Sequence, residues 1–417
     1  MSIKKSDFCP TVTPHKSPEL GPGASRLGQD EIDEILRVLV SGSLSRDYGP
    51  DRQDTVLRFE ARFAHRMQVE HALGVTSGTA ALRVALVAGG VGPGDEVIVP
   101  SCTHVSTAGA AVLLGAVPVF AEIDESLNLD PSLLEQVITS RTKAIVPVHV
   151  SGVPCQMDRI LEVARARKLL VVEDCAQSCG ASYLGKPIGT WADLGAFSLQ
   201  FGKVITAGEG GVVTTNNPNL YERAIRFHDQ GAFRTHSRRL STAPTLEPFV
   251  GDNLRMSELT GAIALAQLRK LDEIITRLRS LHGAFVEATS GLPGIRHRPC
   301  NDLDGHLGLH WSIVFNDRET ASHVREQLRQ LGLTTRLPYG GRPVYSQAQI
   351  RERATATESS NPWTRTGVER RYEPGLCPRS EDLLQRVVIL MRANPQLDAS
   401  DVQRVADALR AVALGGR

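Results

Sequence analysis

Short apolar segments alternate with helical segments between residues 71 and 215 of this 417-residue chain, and this alternation constrains the fold most. The strand-like segments are residues 71–75, 96–100, 117–122, 144–149, 169–173, 196–199 and 211–215. The helical segments between them are residues 81–88, 107–114, 131–139 and 157–167. Apolar strands that alternate with helices are typical of an α/β domain with a largely parallel sheet. We therefore predict such a sheet, with helices packed against it.

The flanking segments predict further helices and a second, smaller domain. One helix follows Gly28 with an apolar stripe and ends near Gly42; a second covers residues 54–67, and a third covers 220–227. A long amphipathic helix is predicted over about 257–281, then a strand at 310–315, helices at 320–331 and 400–412, and a loop at 334–372. The predicted organisation is an N-terminal arm (1–20), a large α/β domain (21–285) and a small α+β domain (286–417).

Charge and cysteine content argue against several classes of protein. Lys plus Arg total 47 and Asp plus Glu total 46, a balance that disfavours electrostatic binding of nucleic acid or a membrane surface. The N-terminal segment lacks the apolar core of a signal peptide, and no apolar run reaches the length of a membrane span, so we expect a cytoplasmic protein. The seven cysteines are scattered without metal-ligand spacing, so we predict no metal site.

Lysines are rare in this chain, and one of them lies in unusual surroundings. Only eight are present, and Lys203 lies in the segment SLQFGKVITAGEGG, among apolar residues and glycines. A buried ammonium is costly, and desolvation lowers the pKa of a lysine so that its free amine becomes a nucleophile toward carbonyl groups. A surface lysine is the alternative interpretation, but the flanking residues favour the nucleophile.

Two further segments lie at the ends of predicted strands. Residues 76–81 (TSGTAA) join a strand to a helix, and small residues at a helix N-terminus expose N–H groups that favour a phosphate. An ordinary Ser/Thr helix cap is equally compatible with that segment. Residues 171–177 (VVEDCAQ) place two acids at the carboxyl end of a strand, where α/β sheets bind ligands. Those acids could hold a cationic ring nitrogen or a metal, or simply cap the next helix.

The phosphate segment, the strand-end acid and the lysine together suggest pyridoxal phosphate. The lysine would bind the cofactor aldehyde covalently, the acid would keep the pyridine nitrogen protonated, and the helix end would hold the phosphate. Each of these three features alone is compatible with other functions. Their joint occurrence in one α/β domain indicates pyridoxal phosphate much more specifically.

The sequence resembles the DegT–DnrJ–StrS family of sugar aminotransferases over nearly the whole chain. The resemblance is densest in SGTAAL (77–82), GVGPGDEVIVP (90–100), EDCAQ (173–177), SLQFGKVITAGEGG (198–211) and GDNLRMSELTGAIALAQLRKLD (251–272). It implies the fold of the fold-type I pyridoxal phosphate-dependent transferases, with a large domain built on a mostly parallel, seven-stranded type of sheet. It also implies a homodimer with shared active sites.

The resemblance assigns roles to individual residues. Lys203 would be the catalytic lysine and proton shuttle, Asp174 would pair with the pyridine nitrogen, and Gln177 would lie beside the ring hydroxyl. Gly78, Thr79 and Ser198 would bind the phosphate. His104 stands where the family usually has an aromatic residue stacked on the ring, and Asn253 would reach the phosphate of the neighbouring subunit. Histidine in place of the lysine is typical of the family's dehydratases, so Lys203 favours transamination.

The expected reaction moves an amino group from glutamate or glutamine to a keto sugar or a ketocyclitol in amino-sugar or antibiotic (aminoglycoside-type) biosynthesis. The segment PYGGRPVY (338–345) departs from the family's nucleotide-sugar pattern and looks more like the ketocyclitol branch. The candidate acceptor-binding residues are His228, His310, Tyr339, Arg342 and Tyr345, and each could instead be a packed aromatic or surface residue. Other reactions on the same scaffold (dehydration, elimination, amino-shikimate-type aromatisation) and a non-catalytic regulatory relative are the alternatives.

Overall fold

The computed structural model describes residues 20–231, 246–367 and 370–415, so the predicted N-terminal arm lies outside the described residues except for Leu20. The strands in chain order are β1 (His71–Val75), β2 (Glu96–Pro100), β3 (Val117–Ala121), β4 (Thr142–Ile145), β5 (Leu170–Asp174), β6 (Ser182–Tyr183), β7 (Lys186–Pro187), β8 (Leu194–Ser198), β9 (Gly211–Thr215), β10 (His310–Val314) and β11 (Val387–Arg392).

The α-helices are α1 (Gln29–Ser41), α2 (Thr55–Met67), α3 (Gly78–Ala88), α4 (Val105–Val112), α5 (Met157–Arg167), α6 (Pro218–His228), α7 (Glu258–Arg269), α8 (Leu271–Ala288), α9 (Arg318–Gln330), α10 (Ala348–Arg351), α11 (Pro362–Thr366), α12 (Pro378–Arg386) and α13 (Ala399–Gly415). Short 3-10 helices cover Ala24–Arg26, Pro131–Gln136, Val150–Gly152, Pro338–Gly341, Val344–Ser346 and Glu358–Ser360. None of the described helices is both long and apolar enough to cross a membrane.

The central sheet confirms the predicted fold class. Its strand order is β1-β9-β8-β5-β4-β2-β3, and the neighbours from β8 to β3 are all parallel. Only β9 is antiparallel to its neighbours β8 and β1. The predicted strands coincide with these seven to within a few residues at each end, except 144–149, of which only the first two residues lie within β4.

Helices cover both faces of this sheet, as the strand sequences require. In β2 the side chains of Val97 and Val99 pack in one apolar cluster with residues of α3, whereas Ile98 packs in another with residues of α5. Successive side chains of a strand point to opposite faces, so a strand that is apolar at every position is buried on both sides. The continuous apolar segments of the sequence have this origin.

A second, two-stranded sheet lies in the C-terminal part of the chain. Strand β10 pairs antiparallel with β11, which places His310 opposite Arg392. The prediction included β10, α9 and α13 but assigned no structure to residues 378–392, which form α12 and β11. The division into domains at residue 286 stays a prediction.

The predicted long helix at 257–281 is instead two helices. Helix α7 ends at Arg269, α8 begins at Leu271, and α8 continues to Ala288. Lys270, at the junction, donates hydrogen bonds to Glu31 and to the carbonyl of Arg26, at 2.8 and 2.9 Å. The apolar residues at helical spacing in this segment are nevertheless buried, because α7 and α8 each bury an apolar face; they are Leu265, Leu268, Leu271, Ile275 and Leu278.

Helix α1 forms as predicted, but its apolar stripe lies outside the core of the chain. The buried positions of α1 are Glu31, Glu34 and Val38, and both glutamates form ion pairs with α7 or the residue after it. The apolar stripe is half-buried or exposed and consists of Ile32, Ile35, Leu36 and Leu39. The face that the sequence marks for burial is therefore only partly covered by the described residues.

Candidate active site

The lysine and the aspartate singled out in the sequence lie at the same edge of the central sheet. Asp174 is the last residue of β5, and Lys203 lies in the loop that follows β8, the parallel neighbour of β5. Lys203 lines a cavity of about 590 Å³. The carboxyl ends of parallel strands are where open α/β sheets bind their ligands.

The carboxylate of Asp174 is buried and held in a fixed orientation. Its Oδ2 accepts a hydrogen bond from Thr107 Oγ1 at 2.9 Å, and its Oδ1 accepts one from the Ala176 N–H at 3.1 Å. Thr107 Oγ1 in turn lies 2.7 Å from Thr103 Oγ1. Burial raises the pKa of Asp174, while these two hydrogen bonds and the nearby ammonium of Lys203 lower it. The result is a fixed acid that a cationic partner would keep ionised.

The neighbouring acid, Glu173, points to the other side of the strand and has a structural role. Its oxygens accept hydrogen bonds from four groups: the N–H of Gly189 at 2.7 Å, the N–H of Trp191 at 2.8 Å, the N–H of Ala192 at 2.9 Å, and Nε2 of His149 at 3.2 Å. Side-chain ligand atoms of His149, Glu173 and Cys175 lie close enough together for a metal ion, but the carboxylate already has these donors. Of the two adjacent acids, Asp174 is the one whose charge acts on Lys203.

Lys203 lies in a loop that backbone hydrogen bonds hold in place, and the pKa of its amine is lowered. Its backbone N–H donates to the carbonyl of Gln200 at 2.9 Å, and its carbonyl accepts from the N–H of Gly23 at 3.1 Å. Burial lowers the pKa of Lys203, Asp174 opposes this shift, and Arg392 adds to it. A lowered pKa increases the fraction of free, nucleophilic amine near neutral pH.

The segment after β1 leads into the N-terminus of α3, where neighbouring chain segments approach so closely that glycine is required at two positions. Ser77 caps the helix by accepting a hydrogen bond from the Ala80 N–H at 3.0 Å. A Cβ on Gly78 would lie 2.7 Å from Cβ of Ser198, and one on Gly211 would lie 2.2 Å from the carbonyl oxygen of Ser77. The first N–H groups of a helix have no partner within the helix, so Gly78 and Thr79 present free donors there.

Further predicted residues line the same cavity. Gln177 donates from Nε2 to the hydroxyl of Tyr339 at 2.7 Å, and its Oε1 accepts from the Ser151 N–H at 3.2 Å. His104, the residue before α4, and His310, at the start of β10, also lie in the lining. Burial lowers the pKa of His310 to about 3, with a contribution from three nearby arginines, so its imidazole is neutral.

Other predicted residues are not brought to this cavity. His228 is fully buried at the end of α6, with Nδ1 2.5 Å from the carbonyl of Ile225. Tyr345 is a core residue whose hydroxyl donates to Glu381 at 2.5 Å. Arg342 lines a separate groove of about 360 Å³ together with Tyr345, and Asn253 is exposed on the surface. These four residues have side chains that could bind a substrate, but the fold places them away from the cavity that Lys203 lines.

The sequence prediction missed two arginines that line the cavity, Arg336 and Arg392. Arg392 is the last residue of β11 and donates to the carbonyl of Gly202, the residue before Lys203. Arg336 is joined to β11 through backbone hydrogen bonds with Ile389, at 2.9 and 2.7 Å. The apolar run VVILM before Arg392 was the available signal for a strand that ends in an arginine.

This fold is that of the fold-type I aminotransferases, and comparison with known proteins specifies the family. The DegT/DnrJ/EryC1/StrS aminotransferase family matches residues 25–410. The chain therefore belongs to this family, and it is an aminotransferase.

Individual relatives agree with this assignment. A GDP-perosamine synthase of Caulobacter vibrioides is 38% identical over 324 residues, which cover 76% of this chain and 84% of the relative. The crystal structure of DesV from S. venezuelae is 33% identical with a TM-score of 0.76, covering 92% of this chain and 94% of that one. The structure of DesI, determined with its TDP-sugar product, is 29% identical with a TM-score of 0.76, covering 96% of this chain and 94% of that one.

Proposed function

We propose that this aminotransferase uses pyridoxal phosphate at Lys203 to move an amino group from glutamate or glutamine to a keto sugar. The observation that carries the proposal is the position of Lys203: it lines a cavity, burial lowers the pKa of its amine, and the charge of the buried Asp174 carboxylate acts on it. When bound, pyridoxal phosphate supplies an aldehyde for amines and a cationic ring that accepts electrons.

The residues of the site fit this cofactor in size and charge. At the N-terminus of α3 a side chain on Gly78 would collide with Ser198, and the N–H groups of Gly78 and Thr79 at the start of the helix suit a phosphate. Asp174 provides the buried carboxylate that a protonated ring nitrogen needs. His104 and Gln177 line the cavity, where a planar ring and its hydroxyl would find a stacking partner and a hydrogen-bonding amide.

Two residues of the chain carry the chemical steps. Lys203, whose pKa is lowered by burial, would accept the α-proton of the donor at its Nζ atom and return it in the second half of the transfer. Burial raises the pKa of Asp174, and the hydrogen bonds from Thr107 and Ala176 oppose that shift and orient the carboxylate, which would hold the ring nitrogen of the cofactor in its protonated form. The donor leaves as a keto acid before the acceptor enters, so ping-pong kinetics are expected.

The names of the relatives favour a sugar as the acceptor. GDP-perosamine synthase is named for a nucleotide-linked sugar, and the DesI structure contains its TDP-sugar product. We therefore prefer a keto sugar to the ketocyclitol indicated by residues 338–345, and transamination to the dehydration, elimination and aromatisation alternatives. Antibiotic biosynthesis and a cytoplasmic location stay predictions.

A homodimer is part of this proposal. The apolar stripe of α1 is only partly covered by the described residues, and it continues into the exposed side chains of Leu39 and Val40. A second copy of the chain would cover this stripe, and Asn253 is exposed and free to approach a neighbouring active site.

A substrate screen tests the proposed function. The purified holoenzyme is incubated with glutamate or glutamine and with keto sugars, nucleotide-linked keto sugars or ketocyclitols, and both the keto acid and the aminated product are measured by mass spectrometry. We expect equal amounts of the two products with a keto sugar. Amination of ketocyclitols only would correct the acceptor, and product formation without keto acid would contradict transamination.

A further inference from the structure

Gln177 lies between two residues whose backbone conformation is unfavourable for them. Its Oε1 accepts a hydrogen bond from the N–H of Ser151 at 3.2 Å, and its Nε2 donates one to the hydroxyl of Tyr339 at 2.7 Å. Ser151 has φ 55° and Tyr339 has φ 48°, in the left-handed region that residues other than glycine rarely adopt. Such residues collect at functional sites, where the surrounding structure holds them in place. Two of them on one amide indicate that the position of Gln177 is functionally constrained.

The N–H of Ser151 determines the orientation of the Gln177 amide. A backbone N–H can only donate, so it must meet the amide oxygen, and the NH2 group then lies at the other end of the amide. One hydrogen of that group is donated to Tyr339, which lines the same cavity as Gln177 and Lys203. No described residue accepts the second hydrogen, so it is available to a ligand in the cavity. The amide therefore presents a donor there.

An arginine from the C-terminal part of the chain holds the backbone next to Ser151. Nη2 of Arg298 donates to the carbonyl of Val150, the residue before Ser151, at 3.0 Å, and its Nε donates to the carbonyl of Ser126 at 2.9 Å. Burial lowers the pKa of Arg298 to about 10, and hydrogen bonds to the two carbonyls offset the cost of burying its charge. Arg298 thus fixes the peptide that leads into the left-handed residue.

We propose that Ser151, held in its left-handed conformation by Arg298, is a positioning residue for amino transfer: its N–H group keeps the Gln177 amide turned so that a donor faces the ring hydroxyl of pyridoxal phosphate. This assignment rests on the proposed function, in which that hydroxyl lies beside Gln177. A ring oxygen accepts such a hydrogen bond most strongly when it is ionised. Ser151 and Arg298 act through Gln177, so their effect should disappear when the ring carries no hydroxyl.

A cofactor analogue separates positioning from general structural effects. In 3-deoxypyridoxal phosphate a hydrogen atom replaces the ring hydroxyl, whereas the aldehyde, the ring nitrogen and the phosphate are retained. The dissociation constants of both compounds are measured by fluorescence titration of the cofactor-free protein. Arg298→Met removes the hydrogen-bond donors, and we expect it to bind pyridoxal phosphate about fivefold or more weakly than the wild type. Its affinity for the analogue should equal that of the wild type.

Substitutions at Ser151 test the backbone directly. Glycine adopts the left-handed conformation without strain and keeps the N–H group, so Ser151→Gly should bind pyridoxal phosphate as the wild type does. Ser151→Val carries a branched side chain that disfavours this conformation, and it should weaken binding about tenfold. The matched control is Lys168→Val at the end of α5, because Lys168 also has φ 55° but is exposed and outside the cavity lining. Lys168→Val should lower the unfolding temperature and leave both dissociation constants unchanged.

Equal losses of affinity for pyridoxal phosphate and the analogue in Ser151→Val would overturn the inference, because they would indicate a general distortion of the site. Unchanged binding of pyridoxal phosphate in Ser151→Val would overturn it as well, and so would an equally large loss in Ser151→Gly. If Arg298→Met does not fold, the two Ser151 variants provide the same comparison. A wild-type protein that gains no visible absorbance with pyridoxal phosphate contradicts the proposed function, whereas a normal wild type with an unaffected Ser151→Val contradicts only the positioning role.

Discussion

Lys203 and Asp174 depend on each other, since Asp174 is buried, Lys203 is half-buried, and each exerts the leading opposite-charge effect on the pKa of the other. Burial disfavours the ammonium of Lys203 and the carboxylate of Asp174, and their mutual attraction partly restores both. The positive charge of Arg392 shifts the balance at Lys203 further toward the free amine. The site therefore combines a lysine whose amine is more nucleophilic than usual with a carboxylate that can bind a cationic group.

This coupling predicts how the reaction of Lys203 with pyridoxal phosphate depends on pH. The rate at which cofactor-free protein gains visible absorbance should rise with pH through a midpoint below 10.5, the usual pKa of lysine, because burial lowers the pKa of Lys203. Asp174→Asn should move the midpoint to lower pH, because the carboxylate that raises the pKa of Lys203 is removed. Stopped-flow absorbance between pH 6 and pH 10 measures both midpoints.

A midpoint that stays in place or moves upward in Asp174→Asn would contradict the coupling. The same variant should lose most of its turnover rate while remaining folded, because a neutral amide does not keep a ring nitrogen protonated. Near-normal kinetics in Asp174→Asn would contradict the proposed role of this residue.

At the scale of elements, the N-terminus of α3 depends on the close approach of two chain segments. Gly78 faces Ser198 at the end of β8, and there is no room for a methyl group between them. The proposed phosphate site is therefore formed by residues of two separate parts of the chain: the start of α3, which follows β1, and the end of β8.

Gly78→Ala should therefore weaken cofactor binding about tenfold, because the new methyl group displaces Ser198 or the helix end at a cost of about 1–3 kcal/mol. Fluorescence titration with pyridoxal phosphate measures the dissociation constant. The double variant Gly78→Ala/Ser198→Gly removes the colliding Cβ and should regain part of the affinity. Full affinity in the single variant would show that the start of α3 is not a phosphate site.

Helix α1 presents the other element-scale feature, an amphipathic helix whose charged face is buried. Glu31 and Glu34 are paired with Lys270 and Arg269, so the apolar stripe points away from the chain's own core. Such a stripe is stable in water when a partner covers it.

Leu39→Glu should convert the proposed dimer to monomer or weaken it about tenfold or more, because a carboxylate would be buried at the interface. Sedimentation velocity over a range of protein concentrations measures the change. Leu414→Glu is the matched control: Leu414 of α13 is 52% exposed, Leu39 is 50% exposed, and Leu414 lies outside α1. A monomeric wild type, or equal behaviour of the two variants, would contradict the interface.

At the scale of the whole molecule, two sheets supply one cavity. The loop that follows β8 of the seven-stranded sheet provides Lys203, and the two-stranded sheet provides His310 and Arg392. Arg392 and Gly202 are separated by 190 positions in the sequence and meet through one side-chain hydrogen bond. The proposed site thus depends on how the C-terminal part of the chain packs against the central sheet.

The sequence was sufficient for the features that local pattern determines. The strands of the central sheet were predicted because each is a short, mostly apolar run. Asp174 was identified because it ends such a run, and Lys203 because it is a rare lysine among apolar residues and glycines. Arg392 and Arg336 were missed because their position depends on the pairing of β10 with β11, which no local pattern specifies. His228 and Tyr345 have side chains suited to a substrate, but the packing of α6 and of residues 344–346 directs them into the core.

The most direct test of Lys203-based amino transfer is a single-turnover experiment with glutamate and no acceptor. We expect the holoenzyme to lose the visible absorbance of the lysine-bound cofactor and to release about one equivalent of 2-oxoglutarate per cofactor, and we expect a keto sugar then to restore the absorbance. Lys203→Ala should remain folded and release none, whereas the control Lys186→Ala, at an exposed lysine of β7, should match the wild type. Release of 2-oxoglutarate by Lys203→Ala at the wild-type rate would contradict the account.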